Sequence, residues 1–303
     1  MSKLALIAGQ GALPGVLANA LGHSGRAWFA CHLEGAPPVG VGQSRAFRIE
    51  RLGSFIADLV AQGVREVCFA GGLSRPPLDP GAVDAATMPL VPRMMQAIQA
   101  GDDAALRIVL SFFEEAGLTV VAAQDIAPEL LRTPVRGTPT ERDRNDIARA
   151  AAVHAAMAGV DIGQGCVVAG GQVLAVEATP GTDWMLASLA QAPPAPSRPA
   201  PSAGLFGGGL LDDAADWLSG GARPGSTLPE FARPEGGVFF KAAKATQDRR
   251  IDLPTIGPET IRRVAAAGLS GIAIEDSSVL VLQQEEVAAQ LAAHDLFLTT
   301  WSR

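Results

Sequence analysis

Between Lys241 and Thr255 the chain reads KAAKATQDRRIDLPT, placing Lys241, Lys244, Arg249 and Arg250 beside Asp248 and Asp252 in a protein that is only 18 % charged. Carboxylates are hard oxygen ligands for Mg2+, and lysine and arginine cover the negative charge that spreads over phosphoryl oxygens in a transition state. The mixture therefore fits phosphoryl chemistry. Asp161, Glu177 and Asp183 are further carboxylates that could join it, although the alternation in VLAV leaves the face of Glu177 open. The plain alternative is a solvated run of surface ion pairs. Asp252 argues the other way. It stands between Ile251 and Leu253, and a carboxylate at the edge of an apolar environment needs a metal or a cation as partner. Thr182 and Asp183 follow Pro180-Gly181, where a helix would begin, so an N-cap suits them as well as a ligand contact does.

Two glycine turns offer a second kind of chemistry. ALIAGQGALPG sets Gly9 and Gly11 directly after an apolar run, and CFAGGLSRP sets Gly71, Gly72, Ser74 and Arg75 after another. Glycine lets a backbone turn tightly and bring N–H groups and a helix N-terminus against a phosphate. The strict dinucleotide fingerprint fails because Pro14 stands where its third glycine belongs, although Glu34 could imitate the ribose-binding acid. A nicotinamide-dependent oxidoreductase is one rival that this leaves, and a non-catalytic nucleotide-sugar or lipid carrier is another.

These residues need a scaffold that brings them together. Short apolar runs, LALIA, AWFACHL, VREVCFAGG and LTVVAA, alternate with helical periodicity over 13–21, 54–62, 88–99 and 104–116. That alternation predicts an α/β fold whose N-terminal domain, 1–135, is a Rossmann-like parallel sheet. Prolines and glycines in RTPVRGTPTERDR mark its end. A C-terminal α+β domain over 136–303 is expected to open with a helix over 141–158 that starts at Thr140. Two strands turning at Gly170-Gly171 follow, and later come apolar runs GIAI and SVLVL with helices over 259–267 and 284–294. Residues 192–236 shift to Pro, Gly, Ser and Ala, as an insertion or linker would.

Composition narrows the field. With 303 residues, 48 % of them hydrophobic, two packed cores are expected. A net charge of -7 with scattered Lys and Arg argues against nucleic acid as a partner. Cys31, Cys68 and Cys166 lie in apolar runs without CxxC spacing and read as buried reduced thiols. His23, His32, His154 and His294 lack metal-ligand spacing and read as solvated or capping residues. The apolar start is too short for a signal peptide or a membrane span, so a cytoplasmic location is expected.

Six blocks in order, LALIAGQGALPG, CFAGGLSRP, AGDDAALRIVLSFFEEAGL, DIGQGCVV, VLAVEATPGTDWML and KAAKATQDRRIDLPTIGPETI, resemble the LpxI-type UDP-2,3-diacylglucosamine pyrophosphatases of lipid A biosynthesis over nearly the whole chain. The resemblance implies a Mg2+-dependent hydrolase of two domains. Its water attacks the β-phosphorus of UDP-2,3-diacylglucosamine to give UMP and 2,3-diacylglucosamine 1-phosphate. It assigns the essential aspartate to Asp252, with Asp248 and Glu177 as further metal ligands. As substrate contacts it implies Gly9, Gly11, Gly71, Gly72, Gln164, Thr182, Asp183, Lys241, Gln247 and Thr255. The acyl chains would lie in an apolar slot between the domains, with the protein peripheral on the cytoplasmic face of the inner membrane and a homodimer left open. In the insertion, Leu210, Leu211, Ala214, Trp217 and Leu218 would form a helix face toward acyl chains or membrane. The chain departs from the family pattern at Ala245, where a proline is usual, and in the length of 192–236.

Overall fold

The computed structural model describes residues 2–72, 79–99, 102–191, 235–245 and 247–302. The first half runs β1 (Lys3–Ala8), α1 (Leu13–His23), β2 (Trp28–Leu33), β3 (Ser44–Phe47), α2 (Leu52–Ala61), β4 (Val64–Ala70), α3 (Val91–Gln99), α4 (Asp102–Glu115), β5 (Thr119–Val120) and α5 (Ala123–Ile126). Its five strands are all parallel, in the order β3-β2-β1-β4-β5. The unbroken apolar run of β1 is what a strand covered on both faces requires. Leu4 and Leu6 pack with Leu17 and Leu21 of α1. Ala5 and Ile7 pack with Ile56 of α2 and Phe113 of α4. Helices thus cover both faces, and the strand order is that of doubly wound sheets.

The second half runs α6 (Glu141–Ala158), β6 (Gly165–Ala169), β7 (Gln172–Val176), α7 (Gly181–Ala190), β8 (Val238–Lys241), β9 (Thr255–Ile256), α8 (Pro258–Ala266), β10 (Gly271–Glu275), β11 (Leu280–Val281), α9 (Gln284–Ala293) and β12 (Phe297–Trp301). Its main sheet has the order β12-β10-β8-β6-β7, and β9 pairs separately with β11. Strands β12, β10 and β8 are parallel, whereas β6 runs against both β8 and β7. Ile147, Ala150 and Met157 of α6 cover one face. Leu186 of α7, Ile261 of α8 and Leu291 of α9 cover the other. The expected α+β unit is therefore a mixed sheet between two helical layers.

Local chemistry explains where these elements begin and turn. Thr140 Oγ1 accepts from Asp143 N at 3.2 Å while the Asp143 carboxylate accepts from Thr140 N at 2.9 Å, a capping box that starts α6. One turn on, Asp146 is 1 % exposed and accepts from Gly170 N at 2.9 Å and Gly171 N at 2.6 Å. Those glycines have φ of 57° and 77°, the left-handed pair that a two-residue hairpin turn demands.

Three expectations need correction. LTVVAA pairs only through Thr119–Val120, because α5 begins at Ala123, and SVLVL pairs only through Leu280–Val281. The edge strand Ser44–Phe47, unexpected from sequence, is mostly half-buried or exposed, so no apolar run marks it. His154 is neither solvated nor capping but 4 % exposed in the second core. The three thiols are buried and free, and burial pushes them up to about 11 for Cys31 and about 12 for Cys68 and Cys166, which keeps them inert. Ser74, Arg75 and the proposed apolar face of Leu210, Leu211, Ala214, Trp217 and Leu218 lie outside the described residues.

Asp146→Ala leaves two turn N–H groups without their acceptor. It is expected to lower the unfolding free energy by about 2–4 kcal/mol, read as a lower urea midpoint at an unchanged m-value.

Candidate active site

In the second sheet, the edge where β8 ends at Lys241 and β10 ends at Glu275 also receives the start of the reversed strand β6, since Gly165 pairs with Lys241. Ligands of open α/β sheets bind at such carboxyl ends. Lys241 is 5 % exposed, and its ammonium donates to Thr182 Oγ1 at 2.5 Å and lies 3.5 Å from Glu177 Oε2. A buried ammonium needs such partners. Thr182 lies in the first turn of α7, whose N-cap is Pro180 with no side-chain bond, so its hydroxyl serves Lys241 rather than a cap. Gly165 admits the Glu177 carboxylate, because a Cβ there would stand 3.0 Å from Glu177 Oε2. Asp183 makes a charge contact with Arg263, 3.3 Å from its Nε.

Past β8 the chain forms a loop that reaches β9 at Thr255. Lys244 Nζ donates to Asp161 Oδ1 at 2.5 Å. The buried Gln247 accepts Lys244 N at 3.0 Å through Oε1 and donates through Nε2 to Asp252 Oδ2 at 2.6 Å. Gln164 Nε2 donates to the same oxygen at 3.0 Å. One carboxylate oxygen of Asp252 is thereby aimed by two amides. Asp248 is held differently, by Arg250 N and Nε at 3.0 Å each and Nη2 at 2.7 Å. The Arg250 guanidinium holds the Asp248 carboxyl below the usual range against the opposing effect of burial, and the Arg107 charge adds to it. Thr255 Oγ1 donates to Leu253 O at 3.2 Å, within its own loop.

The structure does not bring Glu177, Asp248 and Asp252 together as one ligand set. Among the described residues no three His, Cys, Asp or Glu side chains form a metal cluster. Lys241 lies beside Glu177, Arg250 binds Asp248, and two amides bind Asp252.

The loop also meets the first half. Ile251 packs on the core that contains Phe69 and Phe113, and Leu253 on the core that contains Leu17. Arg249 O accepts from Gln124 Nε2 at 3.1 Å, and Arg250 Nη1 donates to Glu114 Oε1 at 2.6 Å. Between Leu13 and Phe69 on one side and Ile251 and Leu253 on the other lies a cavity of about 20 Å³, room for about one water and too small for an acyl chain.

The glycine turns sit at the same junction, but they serve each other. Gly9 N donates to Ala70 O at 2.8 Å, Gln10 N to Gly72 O at 2.8 Å, and Gly72 N to Gln10 O at 3.0 Å. A Cβ on Gly9 would stand 2.3 Å from Gly72 O, and one on Gly71 2.3 Å from Gln10 O. The N–H groups of Gly9 and Gly72 are thus used within the backbone. What the edge offers an anion is the start of α1 beyond Gly11, which has no side-chain cap. Glu34 is 62 % exposed and lies 3.6 Å from Arg48 Nε.

Sequence reasoning missed two residues behind this edge, His154 and Glu275, which bond the main chain just past Lys241. The spacing of Ile147, Ala150, His154 and Met157 puts the histidine on the buried stripe of α6, a signal that was available.

Together the two sheets define an open-sheet α/β protein with a polar site at one carboxyl edge, facing the carboxyl edge of the other. Residues 3–130 match the family model of the LpxI N-terminal domain, and residues 133–299 that of the LpxI C-terminal domain. A Caulobacter vibrioides protein named UDP-2,3-diacylglucosamine pyrophosphatase LpxI is 37 % identical over 313 positions, spanning 98 % of this chain and 96 % of that one. The chain belongs to the LpxI family.

Because Asp248 titrates below its ordinary value, its contribution to stability is present above the unfolded-state value of about 3.9 and is lost as pH falls through the lowered folded value. Wild type is expected to be more stable than Asp248→Asn at pH 7. Urea midpoints of the two proteins should draw together as the pH is lowered through that range.

Proposed function

We propose that this chain hydrolyses the diphosphate bridge of UDP-2,3-diacylglucosamine, releasing UMP and 2,3-diacylglucosamine 1-phosphate. Family membership supports the substrate. The observation that carries the chemistry is the Asp252 carboxylate, with one oxygen fixed by the amides of Gln164 and Gln247 at an edge that also presents Lys241 and Lys244. A carboxylate oriented in this way can hold an attacking water by its proton and present the oxygen to phosphorus. The β-phosphorus takes the water oxygen, and UMP leaves with the bridging oxygen. Lys241 and Lys244, each now beside an acid, are the cations available to a developing phosphoryl charge. The uncapped start of α1 offers N–H groups to the other phosphate.

Mg2+ belongs to the same proposal. It is usually held by one or two carboxylates together with substrate phosphates rather than by an all-protein cage. Asp252, half-buried and already oriented, fits that pattern as the protein ligand, whereas Glu177 and Asp248 are engaged by cations. When bound, Mg2+ would neutralise phosphate oxygens and so assist departure of UMP. Among the described residues no helix is long and apolar enough to cross a membrane. A substrate with two acyl chains supports peripheral attachment at the cytoplasmic face of the inner membrane.

Asp252→Ala is expected to release UMP at least 100-fold more slowly than wild type, and EDTA to suppress wild-type release until Mg2+ is restored. A variant within tenfold of wild type would remove Asp252 from its role. Binding without any UMP release in a single turnover would make the protein a carrier.

A further inference from the structure

The peptide group joining Ala242 to Ala243 leaves β8 immediately after Lys241. Both of its polar atoms are held by buried titratable side chains with no part in the chemistry above. His154 Nε2 lies 2.9 Å from Ala242 O, and since a carbonyl only accepts, that ring nitrogen carries the proton. Glu275 Oε2 accepts Ala243 N–H at 3.1 Å. The two side chains are 4 % and 6 % exposed.

They arrive from different elements. His154 comes from α6, with its ring 5.7 Å from that of Phe240. Glu275 ends β10, where the pairing of Ile274 with Lys241 sets it abreast of Ala242. Ala242 and Ala243 are themselves buried, and their methyl groups carry no polar atom that could bond the backbone in place. Ala242 N donates to Gln164 O at 3.0 Å, and Lys244 N to Gln247 Oε1 at 3.0 Å. From Ala242 to Lys244 every N–H is bonded, as a buried backbone requires, and one peptide plane is gripped from both sides.

We propose that His154 and Glu275 are positioning residues for the hydrolysis. By fixing this peptide plane they set Lys241 before it, Lys244 and Gln247 after it, and through Gln247 the carboxylate of Asp252. The inference rests on the hydrolase reading and extends it to residues that hold the site from behind. Its chemical logic is that of orientation, in which a displacement of about 1 Å away from the reacting atoms costs about 100-fold in rate.

Steady-state UMP release by the full-length protein tests it. Glu275→Ala is expected to lower kcat about 10- to 100-fold with little change in KM, at a temperature where circular dichroism shows the variant folded. Glu275→Gln keeps an acceptor oxygen at the same reach and should recover most of the rate. His154→Ala and His154→Gln should behave as the matching pair, because the Gln amide can stand in for Nε2–H. The double alanine variant should be little slower than the worse single one, since both side chains act on one peptide. A second readout is independent of turnover: the side-chain amide resonances of Gln247 should shift in Glu275→Ala and return in Glu275→Gln. A kcat within twofold of wild type, a loss that follows only the folded fraction, or unmoved Gln247 resonances would overturn the proposal. Absence of UMP release from wild type would overturn the hydrolase reading instead, and the Gln247 resonances would still decide the positioning.

Discussion

Ile251 and Leu253 fix the place of Asp252. They leave a turn in which Asp248 O accepts from Ile251 N and Asp252 N, and the two apolar neighbours go to the first half while the carboxylate between them goes to amides of the second. The anchors enter different cores, one on each face of the parallel sheet, so residues 251–253 straddle its carboxyl edge. Full burial of such side chains contributes about 1.5–3 kcal/mol each, and these are only half-buried, so the seam is held by several modest contacts. Backbone and guanidinium bonds from Arg249 and Arg250 to Gln124 and Glu114 complete it.

Charge at the site is distributed by the same logic. Lys241 is set by Thr182 and Glu177, Lys244 by Asp161, and Arg250 by Asp248 and Glu114. Buried or half-buried ion pairs contribute little net stability, because desolvation offsets attraction. Their effect is geometric. Each long, flexible cation is confined to one direction before any ligand arrives, and that lowers the ordering a ligand would have to impose.

Much of this was legible in the sequence, and the remainder was hidden for identifiable reasons. The apolar runs in β1, β2 and β4 belong to strands covered on both faces, which must be apolar where they are buried. Thr140 announced the start of α6, where the structure adds its capping box with Asp143, and Gly170-Gly171 announced the hairpin. Asp252 stood out because a charge flanked by two large aliphatics has few places to go. Strand β3 left no such mark, and β9 with β11 exists only as two-residue pairings supplied by tertiary context. Gly9 and Gly71 were legible as special positions, and the folded backbone adds a demand that the sequence does not show, the close passage of Gly9 against Gly72 and of Gly71 against Gln10. Glu275 was hidden at the end of an apolar strand that is buried throughout.

The reversed strand β6 also bears on how this chain can change. Because β6 runs against its neighbours, its entry point and the exit of β7 lie at the same rim, so Gln164 and Glu177 reach the site from the two ends of one hairpin. Helix α7 is then seated by Met185, Leu186 and Leu189, and β8 by pairing on both of its sides. Among the described residues, the bonds that fix the site come from this hairpin, from α7 and from β8 with the loop after it. Loop-closure cost grows only logarithmically with length, by about 0.6 kcal/mol per doubling, so the number of residues joining α7 to β8 adds little to the cost of bringing these two elements to one rim.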